Sequence, residues 1–366
     1  MIVTRLRPIA IAGASASFLM LGGAPAPAAD MKMTPALEKI VAAAKQEKVL
    51  DISSGPAVNG GAELGPRIVA GIKKYFGVDI EYKFTPGGPM GEIGNKVATE
   101  FRANQTSSTD LWTGAAAQIV PLLRLDMFHK VDWAKLYPER IKPEFVEADG
   151  RALAVTTGMP GILYNKVKAP EFARVRSMDD LLKPEFKGKF GTTIYGAAFD
   201  VMLANSVWGP DKTLGFYEKF VKNAQGILNC GGDDRVASGE FLALAFDCAG
   251  GAHHQPQFKN ILDLHVVPEI AQRRPYYVMV PKNAAHPNLG ILLGLFLSTP
   301  DGQKIQEDSW GIPYYGYTET RRHKEIAAIE AKGVKFLDVT IDWWVKHPEI
   351  VANQRKMFGI VRANTK

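Results

Sequence analysis

The sequence predicts an α/β protein of two domains, and three observations carry this. The chain has 366 residues, which at about 100–200 residues per domain gives two. Between Val49 and Leu125 strand-like and helix-like segments alternate three times. After an extended apolar stretch, Ala152–Asn165, the alternation starts again. Strand, helix, strand is the rhythm of a parallel α/β sheet.

Each element has a local cause. Thr34 before Pro35 supplies a helix cap and a good first-turn residue, and Leu37, Ile40, Val41 and Ala44 continue one face to Gln46. Val49–Ser53 reads as a strand running into a loop, Ser54–Gly61. Ile68, Ile72 and Phe76 share a stripe of the helix Leu64–Phe76, which Gly77 ends. Val78–Phe84 alternates as a strand, Pro86–Pro89 turns, and Glu92–Asn104 is helical through Ile93, Val97 and Phe101. Thr109–Trp112 is the third strand, leading through Thr113-Gly114 into a helix Ala115–Leu125. The second unit reads as strand Phe190–Tyr195, helix Ala198–Trp208, helix Pro210–Ala224, a short helix Asp233–Glu240 and strand Phe241–Asp247. The chain returns near His265–Val267 through the strand Tyr276–Val280, the apolar helix Leu289–Leu297 and a helix capped by Thr299-Pro300. One or two amphipathic helices follow Thr318, one of them holding Trp343 and Trp344.

Composition narrows the function classes. Hydrophobic residues make up 46% and charged ones 22%, with 35 Gly and 23 Pro, which excludes disordered and collagenous chains. Residues 1–29 read as a secretory signal peptide: Arg5 and Arg7, an apolar run Ile9–Leu21, and Ala26-Pro27-Ala28 as cleavage site. That run is shorter than the roughly 20 apolar residues of a membrane anchor. Without Arg5 and Arg7, 42 basic against 38 acidic side chains leave +4, a mild excess that does not point to nucleic acid. Export favours a disulfide between the two cysteines, Cys230 and Cys248. In the chain-entropy view it would stabilise by about 3 kcal/mol. Two separate buried thiols are the alternative, and no CxxC spacing supports a cysteine metal site.

Five segments, in order, resemble the extracellular solute-binding proteins of ABC importers, in particular the family-1 and ferric-iron-type members. They are Gly161-Ile162-Leu163-Tyr164-Asn165; Ser177–Leu182 with Pro184–Lys189, similar to S-x-x-D-L-L-x-P-x-x-K-G-K; Val236-Ala237-Ser238-Gly239-Glu240, similar to V-A-x-G-E; Val280–Asn288; and Leu297–Gln303. The resemblance implies the type II periplasmic-binding fold, two Rossmann-like lobes joined by crossing hinge strands, with the ligand in the cleft between them. Its boundaries would be residues 30–157 with 267–317 for lobe 1, 158–266 for lobe 2, and a helical tail, 318–366. Hinge closure over a ligand is the expected motion.

Ligands of open α/β sheets sit beyond the carboxyl ends of strands. The candidates there are Ser53, Ser54 and Gly55; Gly87 and Gly88; Trp112 and Thr113; Thr157; Tyr195 and Gly196; and His253 with His254. Ordinary turn chemistry accounts for the same Gly and Ser residues. Gly88, Gly91 and Gly94 form neither a P-loop nor a dinucleotide fingerprint. Ferric-binding relatives place an adjacent Tyr pair at about the position where His253-His254 stands here, and this departure argues against ferric iron. Imidazoles suit softer transition metals, but adjacent His residues on a strand would point to opposite sides, and no third ligand is evident nearby. Arg273-Arg274 and Arg321–Lys324 read as solvated basic faces.

The expected function is a periplasmic receptor that captures a small solute, an organic anion, and hands it to an inner-membrane ABC permease. It would act as a monomer, without cofactor, nucleic acid or membrane insertion. The alternative is a ferric-iron or other transition-metal binder using His253 and His254. A secreted metal-dependent hydrolase is more remote, since no nucleophile elbow or HExxH occurs.

Overall fold

A computed structural model describes residues 31–364; the expected signal segment, 1–29, lies outside the described residues. Among the described residues there are twelve strands: β1 (Val49–Ser54), β2 (Glu81–Pro86), β3 (Trp112–Ala115), β4 (Val146–Glu147), β5 (Ala152–Gly158), β6 (Ile162–Asn165), β7 (Phe190–Thr193), β8 (Gly226–Leu228), β9 (Ala243–Ala245), β10 (Leu262–His265), β11 (Gln272–Met279) and β12 (Leu337–Asp338). They form a two-stranded parallel pair, β1-β2, and two five-stranded sheets. One sheet has the order β10-β6-β9-β7-β8; the other runs β12-β11-β5-β4, with β3 also paired to β11.

The α/β class holds, but the sheets are mixed, not parallel. β7 lies parallel to β8 and β9, whereas β6 is antiparallel to both β9 and β10. β11 is antiparallel to β5 and to β3. The return strand therefore inserts beside β3, a pairing between residues more than 150 positions apart that no local pattern announces. β5 belongs to one sheet and β6 to the other, so the chain changes sheets across residues 159–161.

The first helix, Pro35–Glu47, starts as its cap requires: the Thr34 side chain accepts from the Leu37 N–H. Gly77 closes the helix Gly65–Phe76 by donating to the Lys73 carbonyl. The helix Pro287–Leu297 is buried along its whole length from Leu289 on, which is why its sequence is apolar on every face. Thr299 caps the next helix, Pro300–Ser309, accepting from Gly302 N–H. The expected helix Ala198–Trp208 shrinks to Phe199–Met202. The Thr213 hydroxyl takes the Met202 carbonyl, and the Asn205 N–H donates to Glu349, so the backbone finds partners outside a helix. Likewise Ala115–Leu125 divides into a helical turn, Ala116–Ile119, and a 3-10 segment containing Pro121.

The tail is integral to the fold. Its helix Arg321–Glu330 reaches the loop after β9, with Arg322 donating to the Gly250 carbonyl at 2.8 Å. β12 then joins the edge of β11, where Arg273 holds Asp338 at 2.6 Å. The helix Ile341–Val345 packs beside Ala116–Leu125, and the Asp342 N–H donates to Glu147. The last helix, Pro348–Asn364, lies along Pro210–Asn223.

Candidate functional site

Loops from the first group of strands are tied to one another by hydrogen bonds. At the end of β1 the Ser53 N–H donates to the Thr109 hydroxyl at 3.1 Å, and the Gly87 N–H donates to the Ser54 carbonyl at 2.8 Å. Both serines are buried. A Cβ on Gly87 would stand 2.8 Å from Ile93 Cδ1 and 3.3 Å from Ser53 Oγ, so a larger residue there requires the Ile93 side chain to shift. Gly88 lies against Glu92, and Gly55 against Val58. Thr113 accepts from Asn59 Nδ2 at 2.7 Å, and Asn59 Oδ1 in turn accepts from Gln306 at 2.8 Å. Asn59 and Gln306 were not among the sequence candidates. Their meeting depends on a contact between residues 247 positions apart.

Two candidates are fully buried. The Trp112 ring is fully buried, stacks on Phe128 at 5.6 Å, and donates its indole N–H to the Met90 carbonyl. Thr157 is fully buried and binds the return segment, accepting from the Tyr315 N–H at 3.2 Å and donating its own N–H to Ile312. Both are buried and hydrogen-bonded within the frame. Tyr195 is exposed, on the turn where Gly196 takes φ +56° and packs beneath Met357 of the last helix.

The loop after β9 gathers the most chemistry. The Cys230–Cys248 disulfide forms as expected and anchors its start. Asp247 is buried and accepts from the Gly250 N–H at 2.6 Å. Burial pushes the Asp247 carboxyl above its ordinary range, against the pull of backbone N–H groups from Gly250, Cys248 and Ala249. Burial also raises Asp233, with Asp247 and Asp234 adding repulsion, to about 7.

His253 and His254 occupy a 3-10 turn, Ala252–His254, not a strand. The turn corrects the expectation that they point to opposite sides: their rings lie 3.8 Å apart, and both Nε2 atoms face Glu325 Oε1, at 3.3 and 3.4 Å. The third potential ligand that the sequence did not reveal is thus Glu325, from the tail, 71 positions beyond His254. Burial would raise Glu325, but the Arg322 guanidinium at 2.8 Å and the two imidazoles hold it well below the usual carboxylate range. Burial lowers His254.

Immediately after His254, Gln255, Pro256 and Gln257 face Pro56, Ala57, Gly60, Glu63 and Leu64 across a cavity of about 470 Å³, which Asp308 and Ser309 close. It therefore lies between the loop after β1 and the loop after β9, one from each group of strands. Its charged lining consists of two carboxylates, Glu63 and Asp308, the latter also paired with Arg67 at 2.7 Å. Among the described residues no Lys, Arg or His lines it, so an organic anion would meet no counter-charge from them.

Residues 68–244 match the family of bacterial extracellular solute-binding proteins. The Fe(3+)-binding periplasmic protein of Serratia marcescens is 26% identical over 137 residues, 37% of this chain; the match spans only 38% of that relative's length. The apo ferric ion-binding protein A of Pasteurella haemolytica superimposes with a TM-score of 0.62 at 15% identity, covering 87% of this chain and 98% of the other. Iron-bound HitA from Pseudomonas aeruginosa gives 0.63 at 15%, covering 86% and 99%. A spermidine/putrescine ABC transporter structure from Listeria monocytogenes gives 0.61 at 14%, covering 86% and 99%. The fold is that of the type II periplasmic binding proteins. Among the described residues no helix is long and apolar enough to cross a membrane.

Proposed function

We propose that this chain, with the fold of the type II periplasmic binding proteins and a segment matched to the extracellular solute-binding family, captures a small polar solute and delivers it to the permease of an ABC importer. Residues 30–157 with 267–317 form one lobe and 158–266 the other, and the chain acts in the periplasm after loss of residues 1–29. Binding is non-covalent: a few placed polar groups in a desolvated cleft supply orientation and specificity.

The observation that carries the reading is the cavity of about 470 Å³ between the loops after β1 and β9. Gln255, Gln257 and Ser309 offer donors and acceptors there, and Glu63 and Asp308 offer negative charge. This chemistry favours a neutral or cationic solute over the anion expected from the sequence. The name of the Serratia relative, an Fe(3+)-binding protein, likewise points to a cation.

Native mass spectrometry of protein taken gently from the periplasm, followed by denaturing release, tests the reading. The expected result is one small polar mass that leaves on unfolding. Re-addition at 100 times its Kd should stabilise the protein by about 2.7 kcal/mol, and Glu63→Gln with Gln257→Ala should abolish that gain. An organic acid as the released mass would overturn the charge assignment, and binding unchanged by both substitutions would overturn the cavity as the site.

A further inference from the structure

The geometry points to a transition-metal site in which His253, His254 and Glu325 bind one borderline divalent ion of the zinc or copper class. None of the three residues lines the solute cavity, which begins at Gln255, and Glu325 lies outside residues 68–244, the segment matched to the solute-binding family.

Three features carry it. First, the spacing fits. An ion held tetrahedrally at about 2.0–2.1 Å from nitrogen and oxygen ligands separates adjacent ligand atoms by roughly 3.4 Å. Here the two Nε2 atoms stand 3.3 and 3.4 Å from Glu325 Oε1, and one ligand atom from each of the three residues lies within 4.8 Å of the others. Second, one of the donor atoms lacks other occupation. His254 Nε2 is buried without a hydrogen-bond partner, and His253, whose Nε2 faces the same carboxylate oxygen, is only 9% exposed. Orphaned buried polar atoms call for a ligand. Third, the surroundings hold the ligands in place. Arg322, 1% exposed, donates from Nη1 to Glu325 Oε2 at 2.8 Å and from Nη2 to the Gly250 carbonyl at 2.8 Å. It fixes the carboxylate and the histidine loop together and leaves Oε1 directed at the imidazoles. Such outer partners are what orient metal ligands. Imidazole nitrogen with one carboxylate suits zinc or copper better than a hard trivalent cation, and three protein ligands leave a fourth position for water or another group.

The test uses the full mature chain, stripped with chelator and titrated with Co²⁺, then with Zn²⁺. The expected result is the intense visible band of tetrahedral cobalt, saturating at one equivalent and bleached by zinc. His254→Ala and Glu325→Gln should each weaken binding by about 100-fold or more. His254→Ala leaves the Arg322–Glu325 pair in place, so it reports on the site even if Glu325→Gln perturbs folding. Gln257→Ala, in the solute cavity, should leave the cobalt titration unchanged, so loss of solute binding and loss of metal binding are read apart. Absence of a tetrahedral band at several equivalents, or titrations unaltered by both ligand substitutions, overturns the proposal.

Discussion

Removing the carboxylate of Asp200 should strip the protein of about 3–5 kcal/mol of stability, the penalty of leaving a buried charge without its partner. Arg274 enters from β11 and grips Asp200 with both nitrogens, Nη1 to Oδ1 at 3.0 Å and Nη2 to Oδ2 at 2.6 Å. The side chains are only 12% and 7% exposed. An exposed ion pair would be worth about 0–1 kcal/mol, so the magnitude separates the two situations. The neighbouring Gln272 also reaches across, donating to the Ala198 carbonyl at 3.1 Å; together they tie β11 to the turn that carries Tyr195 and Gly196. Urea unfolding followed by tryptophan fluorescence would measure Asp200→Ala, Arg274→Met, and the double variant Asp200→Leu/Arg274→Met. Each single change should cost several kcal/mol. The double change, which removes both charges and leaves apolar volume, should recover most of the loss. A loss below about 1 kcal/mol for Asp200→Ala would refute the burial argument.

Asp233 gives a pH signature. Its carboxyl, pushed up to about 7 by burial and by Asp247, keeps its proton in the fold at pH values where the unfolded chain, with an ordinary pKa near ~4, has lost it. This group's contribution is therefore fully present below about pH 4 and is lost as pH rises to about 7. Asp233→Asn should leave melting at pH 4 unchanged and stabilise at pH 8 by about 1–3 kcal/mol, after discounting for its partial exposure; equal effects at both pH values would contradict it. Replacing Cys230 and Cys248 by Ser should lower stability by about 3 kcal/mol in the chain-entropy view, with no thiol available for alkylation in the unreduced wild type. Met357→Ala should cost about 2–5 kcal/mol, because that side chain is fully buried against Gly196; a deletion series that removes the last helix without lowering the melting temperature would show the opposite.

Much of the scaffold was legible because its causes are local. Caps at Thr34 and Thr299, the stop at Gly77 and the all-apolar helix before Ser298 follow from a few neighbouring residues. So does the Cys230–Cys248 pairing, which needs only two cysteines at the ends of one short unit. Sheet sense was not legible. β6 and β11 turn the sheets mixed through partners far along the chain, and period-2 patterning says nothing about which strand lies beside which. The packing of Trp112 was not legible for a related reason. Its position at a strand end suits a ligand wall, but the sequence does not show that Phe128 stacks on it or that Met90 takes its indole N–H.

The tail is where sequence reading lost most, and the reason is physical. Arg321–Lys324 resembles a solvated basic face, since most short basic runs are. Here Arg322 is 1% exposed, because the loop after β9 offers the Ala249 and Gly250 carbonyls as acceptors and Glu325, one turn on, supplies the balancing charge. A buried guanidinium is tolerable only with such partners, and half of them sit some 72 positions earlier. The same helix thus completes the surroundings of His253 and His254, β12 extends β11, and the last helix covers Gly196. Three contacts made by one terminal segment reach both five-stranded sheets or the loops they carry. Any movement of the two groups of strands relative to each other must therefore carry or release this segment, so the tail is built into the frame rather than hung on its periphery.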